Sequence, residues 1–388
     1  MKDRKIYCLN NIAKIGTDHF RPGYELVDRM EDAAGVLVRS ADMKEMEFPR
    51  DLRAIARAGA GVNNIPIDRC TESGIVVFNT PGANANSVKE LVLCGLLLAS
   101  RDVYGGIRWV KENADDADIS KTTEKAKKAF AGHELAGKSI GVIGLGAIGV
   151  LVANAAMSLG MKVYGFDPYM SVKAAWNLSP MVNHAESAEA IYAHSDFITI
   201  HVPATPATKG MIGTDAIAQM KEGAVLLNFA QDSLVDENAV AEALKSGKLK
   251  TYVSDFPNSV SAKMEKAIVI PHLGASTEEA EDNCAVMAVE QMQDYLDNGN
   301  IHNSVNFPEI NLGRCETEAR VAILHRNIPN MLSQITSFFG SQGLNIENLA
   351  NKSRGNYAYT LLDISHPMPH DVVEKFRAIE GVLRVRRI

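Results

Sequence analysis

Six residues, Gly144-Leu145-Gly146-Ala147-Ile148-Gly149, hold the spacing G-x-G-x-x-G in a place where it can do chemistry. An apolar run, Ser139 to Ile143, precedes them, and an amphipathic stretch to Leu159 follows. In that setting Gly144 permits a tight turn, Gly146 lets backbone approach a pyrophosphate, and Gly149 lets helix and sheet pack closely. Ala147 and Ile148 open the helix, so their N–H groups face the anion. Asp167 ends the next predicted strand, 18 residues past Gly149. A carboxylate at that spacing bonds the adenosine ribose hydroxyls and repels a 2′-phosphate, which selects NAD over NADP.

The elements that must position these groups alternate between short apolar runs and helical patterns. Ala34–Arg39 and Gly74–Asn79 read as strands of a first α/β region. Strands are predicted again at 139–144, 162–166, 197–201, 224–229, 252–255 and 267–270, with helical stretches between them, which describes a parallel, doubly wound sheet. Residues 112–128 carry charge without apolar periodicity and read as a solvated loop or surface helix. A long helix over 277–296 stops at Asn298-Gly299-Asn300. After an irregular stretch to 317, the remaining chain reads β-α-β-β-α-β: strands at 319–325, 345–352, 357–364 and 382–386, helices at 329–342 and 370–379. That order is ferredoxin-like.

Composition narrows the function classes. A chain of 388 residues is too long for one core. With 46% hydrophobic and 22% charged residues it is globular in type. Lys+Arg 40 against Asp+Glu 47 leave a formal charge of -7, so no global basic field gathers phosphates and no nucleic acid partner is expected. The first residues, Met1 to Ile6, are charged and lead into no apolar signal region, and the longest apolar run, Leu91–Ala99, is short of the roughly 20 residues a membrane helix needs. No membrane partner is expected, and the location expected is cytoplasmic. Five scattered cysteines without C-x-x-C spacing read as reduced thiols, and no metal site is expected.

With the glycine fingerprint stand Arg57-Ala58-Gly59-Ala60-Gly61-Val62-Asn63-Asn64, Asn79-Thr80-Pro81-Gly82-Ala83-Asn84, His201-Val202-Pro203-Ala204-Thr205-Pro206, Leu227-Asn228, Val235-Asp236, and the run from Pro271-His272-Leu273-Gly274 to Ala280. Over nearly its whole length the chain thereby resembles the D-2-hydroxyacid dehydrogenases, in the form that carries a C-terminal ACT domain. The resemblance implies a Rossmann-like NAD domain (102–281) inserted in a flavodoxin-like substrate domain (1–101 and 282–312), a ferredoxin-like ACT domain at 317–388, an active site in the cleft between the first two, and a homodimer or homotetramer. It implies oxidation of a phosphorylated 2-hydroxy acid, D-3-phosphoglycerate, on the route to L-serine.

The same resemblance assigns roles. Ala60, Gly61 and Val62 form an amide nest for the substrate carboxylate, Arg57 grips the phosphate, and Asn84 lies with them. His272 gives or removes the proton on the substrate oxygen, a task suited to imidazole. His201, Val202, Pro203, Thr208, Ala230 and Asp255, with His272 itself, line the cofactor. Asp255 faces the nicotinamide carboxamide or leans toward His272.

Two positions depart from the family pattern. Gln231, in Asn228-Phe229-Ala230-Gln231-Asp232, stands where the family has an arginine that binds the substrate carboxylate, and offers a neutral amide in place of a charged fork. Ser259, in Asp255-Phe256-Pro257-Asn258-Ser259, stands where the family has the glutamate that orients the histidine, and supplies a hydroxyl without charge. These departures leave four readings open: a slow enzyme, a dehydrogenase for a different 2-hydroxy acid, a sequence altered on purpose, or a catalytically weak NAD- and amino-acid-binding regulator. In the C-terminal region His325, Asn327 and Asn345 match effector contacts of serine-inhibited relatives, which implies L-serine as ligand, while Asn330 replaces a glycine before the helix.

Overall fold

The computed structural model describes residues 4–367 and 372–388. Met1, Lys2 and Asp3 of the charged N-terminus, and the predicted start of the last helix at His370, lie outside the described residues. The chain divides into two compact units, one made of 1–83 with 281–388 and one of 84–280.

The first unit contains five strands, β1 (Lys5–Cys8), β2 (Glu25–Val27), β3 (Gly35–Val38), β4 (Ala54–Arg57) and β5 (Val76–Phe78), all parallel in the order β2-β1-β3-β4-β5. That is the flavodoxin-like order. Successive side chains alternate between two cores, as period 2 demands. Leu37, Ala54, Ala56, Val76 and Phe78 meet Ala285, Ala288, Met292 and Tyr295 of the helix Glu278–Asn298, while Val36, Val38, Ile55 and Val77 meet Met43, Leu52, Ile65 and Cys70 on the other face. A sheet buried on both faces needs apolar strands throughout, which is why β3 to β5 read as continuous runs.

The second unit holds β6 (Ser139–Ile143), β7 (Lys162–Phe166), β8 (Asn183–His184), β9 (Phe197–Ile200), β10 (Ala224–Asn228), β11 (Leu249–Ser254) and β12 (Ala267–Val269), parallel throughout in the order β12-β11-β10-β9-β6-β7-β8. This doubly wound sheet carries the glycine fingerprint at the end of β6, an interior strand between β9 and β7. The helix Ala85–Ser100 packs into its core through Val88, Val92 and Leu96 beside Phe229 and Val253. The passage from the first unit to the second therefore falls at 83/84, one helix before the expected boundary at 102. The physical reason is close approach: a Cβ on Gly95 would stand 3.0 Å from the Phe229 ring and 3.1 Å from Val253. The charged stretch after residue 112 forms the helix Ile119–Ala126, none of whose residues is buried.

The last strands, β13 (Ala319–Arg326), β14 (Ile346–Arg354), β15 (Tyr357–Ile364) and β16 (Val382–Arg387), form an antiparallel sheet in the order β14-β15-β13-β16, with the helices Met331–Ser341 and Val372–Arg377. This is the βαββαβ order the sequence predicts. Both faces of the sheet are covered. Val321, Ile323, Leu362 and Ile364 pack on its own helices, while Ala322, Leu324, Tyr359 and Leu361 join the core built on the helix Glu278–Asn298. Asn330 takes a left-handed conformation, φ 65°, which explains a glycine preference there and why asparagine, a residue tolerant of that region, can replace it.

The end of the helix Glu278–Asn298 has no basic residue of its own in its last turn. The C-terminal sheet supplies the donors. Arg386 donates to the carbonyls of Tyr295 (3.1 Å) and Leu296 (2.8 Å), Arg320 to that of Asn298 (2.9 Å), and Tyr359 Oη to that of Gly299 (2.6 Å). The Leu296 and Asn298 carbonyls are among those a helix terminus leaves unpaired, the Tyr295 carbonyl already accepts from the Gly299 N–H at 2.9 Å, and cations suit that end of the dipole. Arg320 is fully buried and also pairs with Asp363 at 2.5 and 2.9 Å. Removing one member of such a pair leaves a buried uncompensated charge. Asp363→Ala is expected to destabilise the first unit by about 3 kcal/mol or more, read as a lowered urea midpoint. An unchanged midpoint would mean that the carbonyls around Arg320 satisfy it alone.

Candidate functional site

In the second unit the three fingerprint glycines meet three different surroundings. Gly144 has φ 91°, and a Cβ there would stand 2.6 Å from the His201 carbonyl oxygen. A Cβ on Gly149 would stand 1.9 Å from the Gly144 carbonyl oxygen, so the helix can approach the strand only without one. At Gly146 nothing lies within 4 Å of that position. Gly144 and Gly149 are required by the protein's own packing, and Gly146 faces open space, as close approach of a pyrophosphate demands. Gly146 caps the helix Ala147–Ser158 without a side-chain cap, so the first-turn N–H groups of Ala147 and Ile148 point to the anion site.

Asp167 follows the end of β7, and its carboxylate accepts from the N–H of Leu145 and of Tyr169, both at 2.8 Å. Each oxygen retains acceptor capacity for a ribose hydroxyl. His201 closes the turn from the side of β9. Its Nε2 lies 2.9 Å from Thr199 Oγ1, its Nδ1 is buried without a partner, and burial pushes its pKa down to about 3, so the ring is neutral. Thr208 Oγ1 donates to the Pro203 carbonyl (2.7 Å) and accepts from the Thr205 N–H (2.8 Å), which shapes the His201–Thr208 loop around Val202.

Three further loops leave the ends of β10, β11 and β12. Asn228 is fully buried: its Oδ1 accepts from the N–H groups of Ala230 (3.2 Å) and Gln231 (3.3 Å), and its Nδ2 donates to the Gln231 carbonyl (2.8 Å). The turn is thus fixed through its backbone, while the Gln231 side chain is exposed and makes no hydrogen bond among the described residues. Asp255 is 1% exposed; Oδ2 accepts from the Gly274 N–H at 3.0 Å and Oδ1 has no partner. Burial raises its pKa. His272 is exposed, with its ring 4.6 Å from that of Phe256 at an interplanar angle of 42°. Ser259 is exposed and no hydrogen bond joins it to His272 among the described residues.

In the first unit the turn after β4 has the form of an anion nest. The N–H groups of Ala60, Gly61 and Val62 donate to no protein acceptor among the described residues. Arg57 lies under the turn, with its Nη1 2.6 Å from where a Cβ on Gly59 would be and 3.7 Å from that of Gly61. Its Nε donates to the Arg39 carbonyl (3.0 Å), and burial lowers its pKa from the usual arginine range. Asn79 Nδ2 donates to the Ala60 carbonyl at 2.6 Å, and the Thr80 N–H to that of Gly59 at 3.1 Å. Asn79 holds the turn, a role its place in Asn79-Thr80-Pro81 could have signalled. Arg39, paired with Glu281 at 2.5 Å, carried no motif. Asn84 lies in the other unit and precedes the helix Ala85–Ser100.

The three C-terminal positions are differently placed. His325 is buried, with Nδ1 2.8 Å from the Arg326 carbonyl and Nε2 2.8 Å from Thr360 Oγ1, and burial lowers its pKa. Asn327 donates to the Gly355 carbonyl (3.1 Å) and Asn345 to Glu347 (2.9 Å), both at the surface. Among the described residues no group of three or more His, Cys, Asp or Glu side chains could hold a metal ion, and no helix is long and apolar enough to cross a membrane.

The glycine geometry predicts a contrast. Gly146→Ala is expected to fold with an unchanged melting temperature yet bind NADH at least tenfold more weakly. Gly149→Ala is expected to lower the melting temperature as well, because a Cβ must displace backbone. Fluorescence titration and thermal melting measure both. Normal NADH affinity in Gly146→Ala would place the pyrophosphate elsewhere.

Residues 94–274 match the family described as D-isomer specific 2-hydroxyacid dehydrogenase, NAD binding domain. D-3-phosphoglycerate dehydrogenase of Haemophilus influenzae is 32% identical, over 94% of this chain and 88% of its own length. The enzyme of the same name from Methanocaldococcus jannaschii is 37% identical over 74% of this chain and 54% of its length. Among solved structures, cofactor (NAD+) bound 3-phosphoglycerate dehydrogenase of Entamoeba histolytica aligns over 78% of this chain and 98% of its own, with 27% identity and a TM-score of 0.61. With a glycine turn open at Gly146, an acidic strand end at Asp167 and a likeness that runs almost from end to end, the chain belongs to the NAD-dependent D-isomer-specific 2-hydroxyacid dehydrogenase family.

Proposed function

We propose that the protein oxidises D-3-phosphoglycerate to 3-phosphohydroxypyruvate with NAD, a step toward L-serine. The observation that carries this reading is the likeness to the Haemophilus influenzae enzyme across 94% of the chain, which takes in the Arg57 turn as well as the His272 loop. When bound, the nicotinamide would supply the acceptor for the hydride that leaves C2 of the hydroxy acid. His272 takes the hydroxyl proton as the carbonyl forms, and returns it in the reverse direction. The exposed N–H groups of Ala60, Gly61 and Val62 hold the substrate carboxylate, and the Arg57 guanidinium holds the phosphate. Asp255 Oδ1, buried and without a partner among the described residues, would accept from the nicotinamide carboxamide. Asp167 accepts from the ribose hydroxyls, and the backbone at Gly146, Ala147 and Ile148 receives the pyrophosphate.

Gln231 and Ser259 support a second reading, a catalytically weak NAD-binding regulator, because neither side chain supplies the charge that the family pattern has there. A dehydrogenase for a different 2-hydroxy acid is the third. NADH oxidation by the purified protein with 3-phosphohydroxypyruvate, hydroxypyruvate and 2-oxoglutarate separates them. Turnover that needs both the phosphate and His272 supports the first reading; turnover on an unphosphorylated keto acid supports the third. Loss of all turnover with NADH still bound supports the second. Gln231→Arg with Ser259→Glu is expected to raise turnover by about a hundredfold. No increase would mean that those two positions do not bear on the chemistry.

We infer that the C-terminal βαββαβ unit is an ACT domain that binds L-serine through Asn327 and Asn345, in a homodimer or homotetramer. His325, whose ring nitrogens are both engaged within the sheet, braces the strand beneath those residues. Calorimetry is expected to show heat with L-serine that Asn345→Ala abolishes. Equal heat in that variant would remove Asn345 from the site.

A further inference from the structure

The catalytic role proposed for His272 needs something to fix the imidazole and favour its protonated form, and the carboxylate that the family pattern places for that purpose is Ser259 here. Ser259 makes no hydrogen bond with His272 among the described residues. The group that does lie against the imidazole is the Phe256 ring, with centroids 4.6 Å apart and planes inclined at 42°.

Both partners of this stack are held by their loops. On one side the Phe256 N–H donates to Ser254 Oγ at 3.1 Å, at the end of β11. Beyond Pro257, Asn258 builds a closed turn: its Oδ1 accepts from the N–H groups of Val260 (2.9 Å) and Ser261 (3.0 Å), and its own N–H donates to Ser261 Oγ (3.0 Å). Glu237, a buried carboxylate at the start of the helix Glu237–Ser246, lies near the Asn258 side chain and the Ser261 backbone without a hydrogen bond to either among the described residues. On the other side, the bond from the Gly274 N–H to Asp255 Oδ2 (3.0 Å) ties the 272–274 loop to the residue next to Phe256. These bonds fix the backbone that carries Phe256 and tie it to the loop of His272.

We propose that Phe256 is the positioning residue of His272, its ring face orienting the imidazole and stabilising the imidazolium in place of a carboxylate. The attraction is that of a cation for an aromatic quadrupole, weaker than an ion pair yet directional. Asp255, next to Phe256 at the end of β11, is the carboxylate that the structure couples to His272, and Phe256 supplies the orientation that the family pattern assigns to a glutamate. The inference rests on His272 being the acid and base of the reaction.

The test uses the full-length protein as Phe256→Leu and Phe256→Tyr. The imidazole proton signals of His272, assigned by their loss in His272→Ala, report the stack directly. In Phe256→Leu they are expected to lose the ring-current displacement, and their titration midpoint to move to lower pH, because the face that favours imidazolium is gone. For keto-acid reduction, which consumes the protonated form, the alkaline limb of kcat moves down with it, and kcat falls roughly threefold to tenfold with KM little changed. Phe256→Tyr, which keeps a ring, is expected to retain all of these. His272 signals and midpoint unchanged in Phe256→Leu, or lost equally in Phe256→Tyr, would overturn the proposal. Because the resonances are read without turnover, a protein that proves inactive on every keto acid defeats the functional reading and still tests the stack.

Discussion

The approach of the helix Ala147–Ser158 to the end of β6 is the constraint on which the second unit depends. The Gly144 carbonyl occupies the space that a side chain at position 149 would need, and the His201 carbonyl occupies the space beside Gly144. Three backbone segments therefore meet with no side chain between them. That contact sets where the helix begins, hence which N–H groups are left unpaired at its first turn, and it brings β9 and its His201 loop against the same point. Asp167 closes the arrangement from β7 by accepting the Leu145 N–H. A dinucleotide site results because the remaining glycine, Gly146, is the one position the packing does not use.

The loops beyond β10 to β12 follow a different principle, in which buried polar groups fix backbone. Asn228 holds the Gln231 turn, Asn258 the Ser259 turn, and Asp255 the Gly274 loop. Asp255 and Glu237 are carboxylates whose pKa burial raises. For each, the charged form is disfavoured in the folded state, so the cost to stability is present above the ordinary carboxylate pKa of about 4 and vanishes below it. A protein tolerates such a cost where a later partner offsets it. The unpartnered Oδ1 of Asp255 is suited to an amide donor, whereas Glu237 lies near the turn that follows Phe256, with both carboxylate oxygens buried and without a hydrogen-bond partner among the described residues.

Much of this was legible in the sequence. Parallel strands buried on both faces leave continuous apolar runs, so β6, β7, β9, β10 and β12 were readable to within a residue or two, as were the C-terminal strands. Short edge strands such as β2 and β8 bury little and leave no such trace. The boundary between the units was misplaced because the helix Ala85–Ser100 is apolar whichever core it joins, and only the contact of Gly95 with Phe229 decides the matter. Residue identity likewise predicted a hydroxyl at 259 within reach of the histidine, whereas the partner that faces His272 is an aromatic ring, which a motif built on charge does not reveal. His325 was placed in an effector site through the resemblance; its burial between Thr360 and the Arg326 carbonyl depends on strand pairing that no local pattern encodes.

The C-terminal sheet and the anion turn share one unit, and this has a mechanical consequence. The helix Ile67–Glu72 starts a few residues after Val62 and ends at Glu72, where Arg326 pairs with the carboxylate at 2.6 Å and Tyr357 donates to it. One residue on, Arg384 donates to the Ser73 carbonyl at 2.9 Å and packs on Gly74, whose φ of 63° and lack of a Cβ make room for it. Glu72 and its partners are partly exposed, so the ion pair by itself adds little stability. Its effect is positional: it ties the end of that short helix to the C-terminal sheet, and only residues 63–66 separate the helix's other end from the turn that carries Ala60, Gly61 and Val62. The helix Glu278–Asn298 offers a second connection, capped by Arg386 and Arg320 at one end and, at Glu281, paired with Arg39 beside Arg57. Two stiff elements thus run from the C-terminal domain to the anion turn. Such connections are what coupling between a ligand of that domain and the turn would require, since one site alters another only through contacts that differ between two states.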